Sequence, residues 1–87
     1  MPRANQLLGN FDRASWERDI AETAVGFAAS RFQGAGAYET FEAATIPEAE
    51  AEVAKRGGLN RWMIYAVDAN GHRTLVMSRG KPVRPGA

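Results

Sequence analysis

YETFEAATIPEAEAEVAKRGGLNRWMIYAVDANGHRTLVM, from Tyr38 to Met77, reads as strand, capped helix, strand, turn and strand. Its clearest local signal is Thr45-Ile46-Pro47-Glu48. The Thr45 hydroxyl is placed to accept a bond from a free first-turn N–H, and Glu48, three residues on, reaches back to complete a capping box. Pro47 falls in the first turn, where its missing N–H costs nothing. Ile46, Ala49, Val53 and Ala54 then form a narrow apolar face, with Ala49 and Ala54 small enough for close approach to a sheet. Acids early and bases late (Glu52 beside Lys55 and Arg56) suit the helix dipole, and Gly57-Gly58 ends the helix.

Downstream, Arg61 to Asp68 is the strongest strand. Trp62, Ile64 and Ala66 alternate with Met63, Tyr65 and Val67, so both faces are apolar. Such a strand is either central and covered on both sides or has one face left for a partner. Asn70-Gly71 predicts a hairpin turn with positive φ at both central residues. Arg73 to Ser78 returns as an edge strand with Leu75 and Met77 inward, followed by a basic Pro/Gly-rich tail over residues 79–87 expected to be flexible. Upstream, Ala37 to Ala44 reads as a strand carrying Tyr38, Thr40 and Phe41. The Gln33-Gly34-Ala35-Gly36 segment is a turn signal. Gly26 to Phe32 fits either a prolonged helix or a strand, and the preferred reading is a hairpin from Val25–Phe32 into Ala37–Thr45. Before it, Asn10 or Asp12 caps a helix through about Ala24, with Trp16, Ile20, Ala24 and Phe27 at helical spacing and Trp16 as a core anchor. Residues 1–9 read as a flexible lead. The expected fold is a small α+β domain, a single domain over residues 1–87, of order α-β-β-α-β-β, with an antiparallel sheet packed against helices.

A chain of 87 residues has no room for a second core, and it buries only about 60–70% of its unfolded surface. It contains no cysteine and one histidine, His72, which removes disulfides and the usual transition-metal sites. The N-terminus lacks the apolar run of a signal peptide, and no stretch reaches the roughly 18 apolar residues of a membrane span, so the expected location is the cytoplasm. The formal net charge of +1 is unevenly laid out. Residues 12–52 hold nine acids against three arginines, a net of −6; residues 53–87 hold seven bases against Asp68, a net of +6. Either folding interleaves the halves and erases the polarity, or two charged faces survive to steer a partner.

Chemistry is sparse. His72 follows a turn, where histidine is ordinarily a solvated loop residue. Ser15, Ser30 and Ser78 have no adjacent base. Gly34-Ala35-Gly36 begins like a dinucleotide-binding loop, but the third glycine position is Glu39 and no helix starts there. Glu48, Glu50 and Glu52 spread over different faces of one helix. The reading is therefore a protein that is not an enzyme and has no catalytic residue, no cofactor and no metal, and that acts by its surface. Its first contact candidates are Arg61, Arg73, Arg79 and Lys81, and its second are Glu48, Glu50 and Glu52.

The run from Gly34 to Ala49 together with Met63 to Gly71 resembles small proteins of phages and other mobile elements, and the layout is similar to that of several anti-CRISPR proteins. The shared pattern is a strand, an Ala/Glu-rich helix opened by a Ser/Thr cap and a closing hairpin, over about half of the chain. The resemblance implies a non-catalytic inhibitor that occludes a surface of a protein or ribonucleoprotein complex, most specifically the effector subunits of a multisubunit (type I) DNA-targeting complex. No functional residue carries over. The alternative is a small nucleic-acid-binding accessory protein whose basic C-terminal residues act with Tyr65 and Trp62 as stacking groups.

Overall fold

The computed structural model describes residues 12–83. The flexible lead, the alternative cap Asn10 and the last four residues of the basic tail lie outside the described residues. Helix α1 spans Arg13–Ala21, and Asp12 caps it: backbone extended at φ −102°, carboxylate accepting the Ser15 N–H at 3.3 Å. Its last turn tightens, with Glu22 and Thr23 N–H groups bonding the carbonyls of Asp19 and Ile20. The helix thus stops short of Ala24. Ala24 belongs instead to strand β1, Ala24–Gly34, which holds Phe27 as the preferred hairpin reading has it, and both face the same core. β1 is paired on both sides, so two ladders of backbone hydrogen bonds override the helical tendency of its alanines.

Strand β2 (Ala37–Ala43), helix α2 (Ile46–Lys55), a single 3₁₀ turn (Leu59–Arg61), β3 (Met63–Asp68), β4 (Arg73–Ser78) and β5 (Lys81–Pro82) complete the chain. The sheet is antiparallel, in the order β2-β1-β3-β4-β5. The fold is α+β, as the alternation of signals along the sequence predicts. Thr45 caps α2 and accepts the Glu48 N–H at 3.2 Å, while Glu48 Oε1 accepts from the Ala44 N–H at 3.2 Å, one residue earlier than an ideal capping box. Ala49 is fully buried; Ala54 is exposed rather than packed on the sheet.

Both helices lie on one side. Trp16 and Ile20 of α1, Ile46, Ala49 and Val53 of α2, Phe27 and Ala29 of β1, Trp62 and Ile64, and Val76 and Met77 of β4 form one cluster. Three expectations are corrected by local geometry. Val76 is the extra residue of a bulge opposite Ile64 and Tyr65, so Val76 and Met77 are both buried and Leu75 turns to the other side. At Asn70-Gly71 only Gly71 has positive φ. The Asp68 carboxylate accepts the N–H groups of Asn70 (2.9 Å) and His72 (3.0 Å), so a four-residue loop forms around that side chain in place of a two-residue turn. β4 is not the edge: Arg79-Gly80 turns the chain back into β5, with positive φ at both residues. The Val83 N–H then donates to the Val76 carbonyl at 2.8 Å, and the Val83 carbonyl accepts the Trp16 indole N–H at 3.2 Å. No helix among the described residues is long and apolar enough to cross a membrane.

Candidate functional site: the helix-free face of the sheet

Cross-strand partners share a face and successive residues alternate, so the registers lay out the side of the sheet that carries no helix. Tyr38 stands beside Phe32 at the tip of the β1–β2 hairpin. The next row is Thr40, Ser30, Met63, Ser78 and Lys81. Below it run Glu42, Ala28, Tyr65 and Leu75, and then Gly26, Val67 and Arg73. This answers the double apolar pattern of β3. Trp62, Ile64 and Ala66 face the helices, whereas Met63, Tyr65 and Val67 face away from them.

Of the four exposed large apolar side chains among the described residues, Phe32, Tyr38 and Met63 lie at one end of this face, while Val25, 69% exposed, lies at the other end of β1. Phe32 is 59%, Tyr38 63% and Met63 36% exposed. The Phe32 and Tyr38 rings meet edge to face at 5.3 Å, which holds both outward in a fixed arrangement. Tyr65 and Leu75 are half-buried, and Ala28 between Glu42 and Tyr65 is covered by its larger neighbours.

The cations predicted as contacts divide. The Arg79 N–H donates to the Trp62 carbonyl at 3.0 Å, which brings the Arg79-Gly80 turn to the start of β3. Arg61, Arg79 and Lys81 therefore lie at the Met63 end of the sheet. Arg73 sits at the far end of β4, about 17 Å away along the strand. All four are exposed, and none is in an ion pair among the described residues.

The second set is engaged internally. Glu48 caps α2. Glu50 pairs with Arg13, which also holds Glu17 at 2.7 Å; the hydrogen bond to Glu50 outweighs burial and raises the Arg13 pKa. Glu52 pairs with Arg56 at 2.7 Å, and that bond lowers its pKa. Arg56 reaches Glu39 at 2.9 Å as well, and its own pKa is raised, first by Glu52 and then by Glu39. Arg31 pairs with Glu39 from the other side. Glu17, Glu39, Glu50 and Glu52 are thus each paired with an arginine, while among the described residues the cations of β4, β5 and the 3₁₀ turn are in no ion pair. On the sheet edges, Glu42 is the one uncompensated charge of β2, and a basic edge stands opposite at β4–β5.

Trp62 does not lie on this surface. It is 1% exposed under Phe41 (5.1 Å between rings) and the Arg31 guanidinium (5.3 Å), so it stacks nothing from outside. His72 is exposed, with Nδ1 3.8 Å from Asp68 Oδ2. Among the described residues no group of three His, Cys, Asp or Glu converges as metal ligands. Val25, Phe32 and Tyr38 are exposed apolar residues that sequence reading missed, whereas Met63 stood on the β3 face that it left open to a partner. The available signal was position: Phe32 and Tyr38 flank the Gly34-Ala35-Gly36 turn, and alternation from there aims both to the side opposite Phe41. No protein-family model, no curated protein and no solved structure matches this chain.

Proposed function

We propose that this is a non-catalytic binding protein that lays the helix-free face of its sheet on a larger macromolecular assembly and occludes it. The observation that carries this reading is the clustering of Phe32, Tyr38 and Met63, exposed on one end of that face, beside the unpaired Arg61, Arg79 and Lys81. Aromatic residues, Met and Arg are the types enriched in interface cores, and a fixed aromatic pair is a typical anchor. The resemblance of the sequence layout to that of anti-CRISPR proteins makes a multisubunit DNA-targeting complex the first assembly to test. Co-elution of this protein with such a complex, with loss of target-DNA binding, supports the reading. Undiminished binding by a Phe32→Ser, Tyr38→Ser double variant overturns the assignment of the face.

A second reading rests on the same corner: Tyr38 and Phe32 as stacking platforms and Lys81, Arg79 and Arg61 as phosphate contacts for single-stranded nucleic acid. A gel shift separates the two. Binding of free oligonucleotide that weakens steeply with salt selects the nucleic acid; no shift, with capture by the protein assembly, selects occlusion.

A further inference from the structure

The two edges of the sheet are treated differently. At one edge β5 has two residues, Lys81 and Pro82, and these are the devices that stop edge-to-edge pairing: a short strand, a lysine and a proline. The other edge is β2, seven residues from Ala37 to Ala43, with no proline, lysine, arginine or internal bulge to blunt it. An edge strand of this length presents an open row of backbone donors and acceptors.

We infer that β2 is a self-association seam, where two copies of the chain pair antiparallel about a two-fold axis at Thr40. Thr40 is the midpoint of Ala37–Ala43, so this register uses the whole strand. It sets Thr40 opposite Thr40, Tyr38 opposite Glu42, Glu39 opposite Phe41 and Ala37 opposite Ala43. Threonine pairs are favourable neighbours across a ladder, whereas like charges directly opposite are not. Here no acid faces an acid. Glu39 is already held by Arg31 and Arg56, so Glu42 is the one uncompensated charge of the strand. In this register the two Glu42 positions are offset by four residues, about 13 Å along the strand, beyond the roughly 8 Å screening length of physiological salt. Thr40 is exposed, and its side chain on the helix-free face has room for its symmetry mate.

The axis runs through the sheet, so the product is a continuous antiparallel sheet of ten strands with both sets of helices on one side. Both helix-free faces then point the same way, which makes the proposed binding surface bivalent. The seam itself is a strand pair, smaller than the roughly 1,200–2,000 Å² of a standard stable interface. It forms a concentration-dependent dimer, not an obligate one.

Sedimentation velocity over a concentration series tests this, with oxidative cross-linking as the positional readout. The wild-type chain has no cysteine, so a Thr40→Cys variant carries one thiol at the axis. Residues opposed in an antiparallel pair have Cα atoms about 4.5–5.5 Å apart, within the span of a disulfide. The expected result is a reversible dimer, at least ten-fold weaker in Thr40→Lys, and a Thr40→Cys chain that cross-links at least ten-fold faster than Thr74→Cys, an exposed position on β4. A wild-type chain that stays monomeric to about 1 mM, or a dimer that is unaffected by Thr40→Lys and cross-links no faster through Thr40→Cys than through Thr74→Cys, overturns the seam. Circular dichroism of the variants separates these outcomes from misfolding, because Thr40 makes no core contact. Tyr38 belongs to both the seam and the binding face, whereas Thr40 is not among the proposed contact residues, so the Thr40 variants report on the seam separately from the proposed binding.

Discussion

Arg31 and Glu39 stand directly opposite each other on the β1–β2 ladder and are joined by an ion pair on the helix side of the sheet. From there Arg31 does two further things. Its guanidinium donates to the Arg56 carbonyl at 3.0 Å, at the C-cap of α2, and its plane lies over Trp62. Arg56 in turn covers Phe41 at 4.7 Å and holds both Glu39 and Glu52. One strand pair thereby ties the end of a helix to the sheet and roofs the largest core side chain. Arg31→Ala is expected to lower stability by about 1–3 kcal/mol, because it strands a helix carbonyl and uncovers the indole. Arg31→Lys should recover little of that loss, since a lone ammonium lacks the planar fork that reaches two acceptors while stacking. Urea midpoints of the two variants measure this, and full recovery by lysine would count against the double role of Arg31.

Acid should weaken the same region. The Arg56 hydrogen bond lowers the folded pKa of Glu52 below its ordinary value. The contribution is therefore fully present above the unfolded pKa of about 4.3 and is lost as pH falls through the lower folded value. Arg56 stays charged throughout this range. Carbon-detected NMR of the carboxylates should show Glu52 titrating below a glutamate reference peptide, and Glu52→Gln should flatten the acid limb of the stability profile. An unchanged acid limb would remove Glu52 from the account.

Ala35 spends conformational energy at the tip of the β1–β2 hairpin. It has φ 53° and is followed by Gly36 at φ 77°, with Gly34 and Ala37 paired on either side. Both central residues have the positive φ of a type I′ turn, in which asparagine before glycine is the favoured sequence. A left-handed conformation costs an ordinary residue about 1–2 kcal/mol. Ala35→Asn is therefore expected to stabilise by about 0.5–1 kcal/mol, read as a rise in thermal midpoint; a fall would mean that the hairpin is held by other contacts.

Ile64 is fully buried at the centre of the sheet, next to Ala29 on β1 and Met77 on β4. Truncation to alanine removes three carbons where both neighbouring strands are pinned by hydrogen bonds, so the cavity cannot collapse. A loss of about 2–5 kcal/mol is expected, a large share of the total stability of a domain this small. A shift below about 1 kcal/mol in denaturant unfolding would indicate a core that repacks freely.

What could be read from residues alone was what short-range chemistry determines. The Thr45–Glu48 cap, the Asp12 cap and the alternation of Trp62, Ile64 and Ala66 all involve neighbours within a few positions. Of the pairing between strands, the β1–β2 hairpin was legible from its Gly-rich turn, whereas the placing of β3 beside β1 was not. Ala24 continues the helical spacing of Trp16 and Ile20, and only the ladder to β3 turns it into a strand. The Val76 bulge is set by the facing strand and inverts Leu75 without any mark in its own sequence. Arg79-Gly80 lacks the asparagine that announces a tight turn, while Asn70-Gly71 has it and forms a different loop because Asp68 captures two backbone N–H groups. Of the candidate site, the cations were visible as a run of charge. The acids were visible too, but their partners Arg13, Arg31 and Arg56 were fixed by packing. At the apolar end of the helix-free face, the turn that Phe32 and Tyr38 flank aims both to one side, but bringing Met63 beside them needed the β1–β3 register, which no local pattern specifies.

That face yields the sharpest separation of stability from function. Phe32 and Tyr38 touch each other and face away from the core cluster, so their loss leaves the hydrophobic centre intact. Replacing both with serine is expected to change unfolding free energy by less than about 1 kcal/mol, the surplus of one exposed aromatic pair. If the face is the binding surface, the same variant should lose at least ten-fold in affinity for its partner, because fixed aromatic anchors carry a disproportionate share of interface energy. Lys81→Glu, at the basic end of the same face, should act mainly on the association rate and its salt dependence, as charges at an interface rim do. Surface plasmon resonance against the captured partner distinguishes the two effects. Equal losses in folding and binding for the aromatic variant would place Phe32 and Tyr38 in the scaffold instead, as a clamp on the hairpin tip.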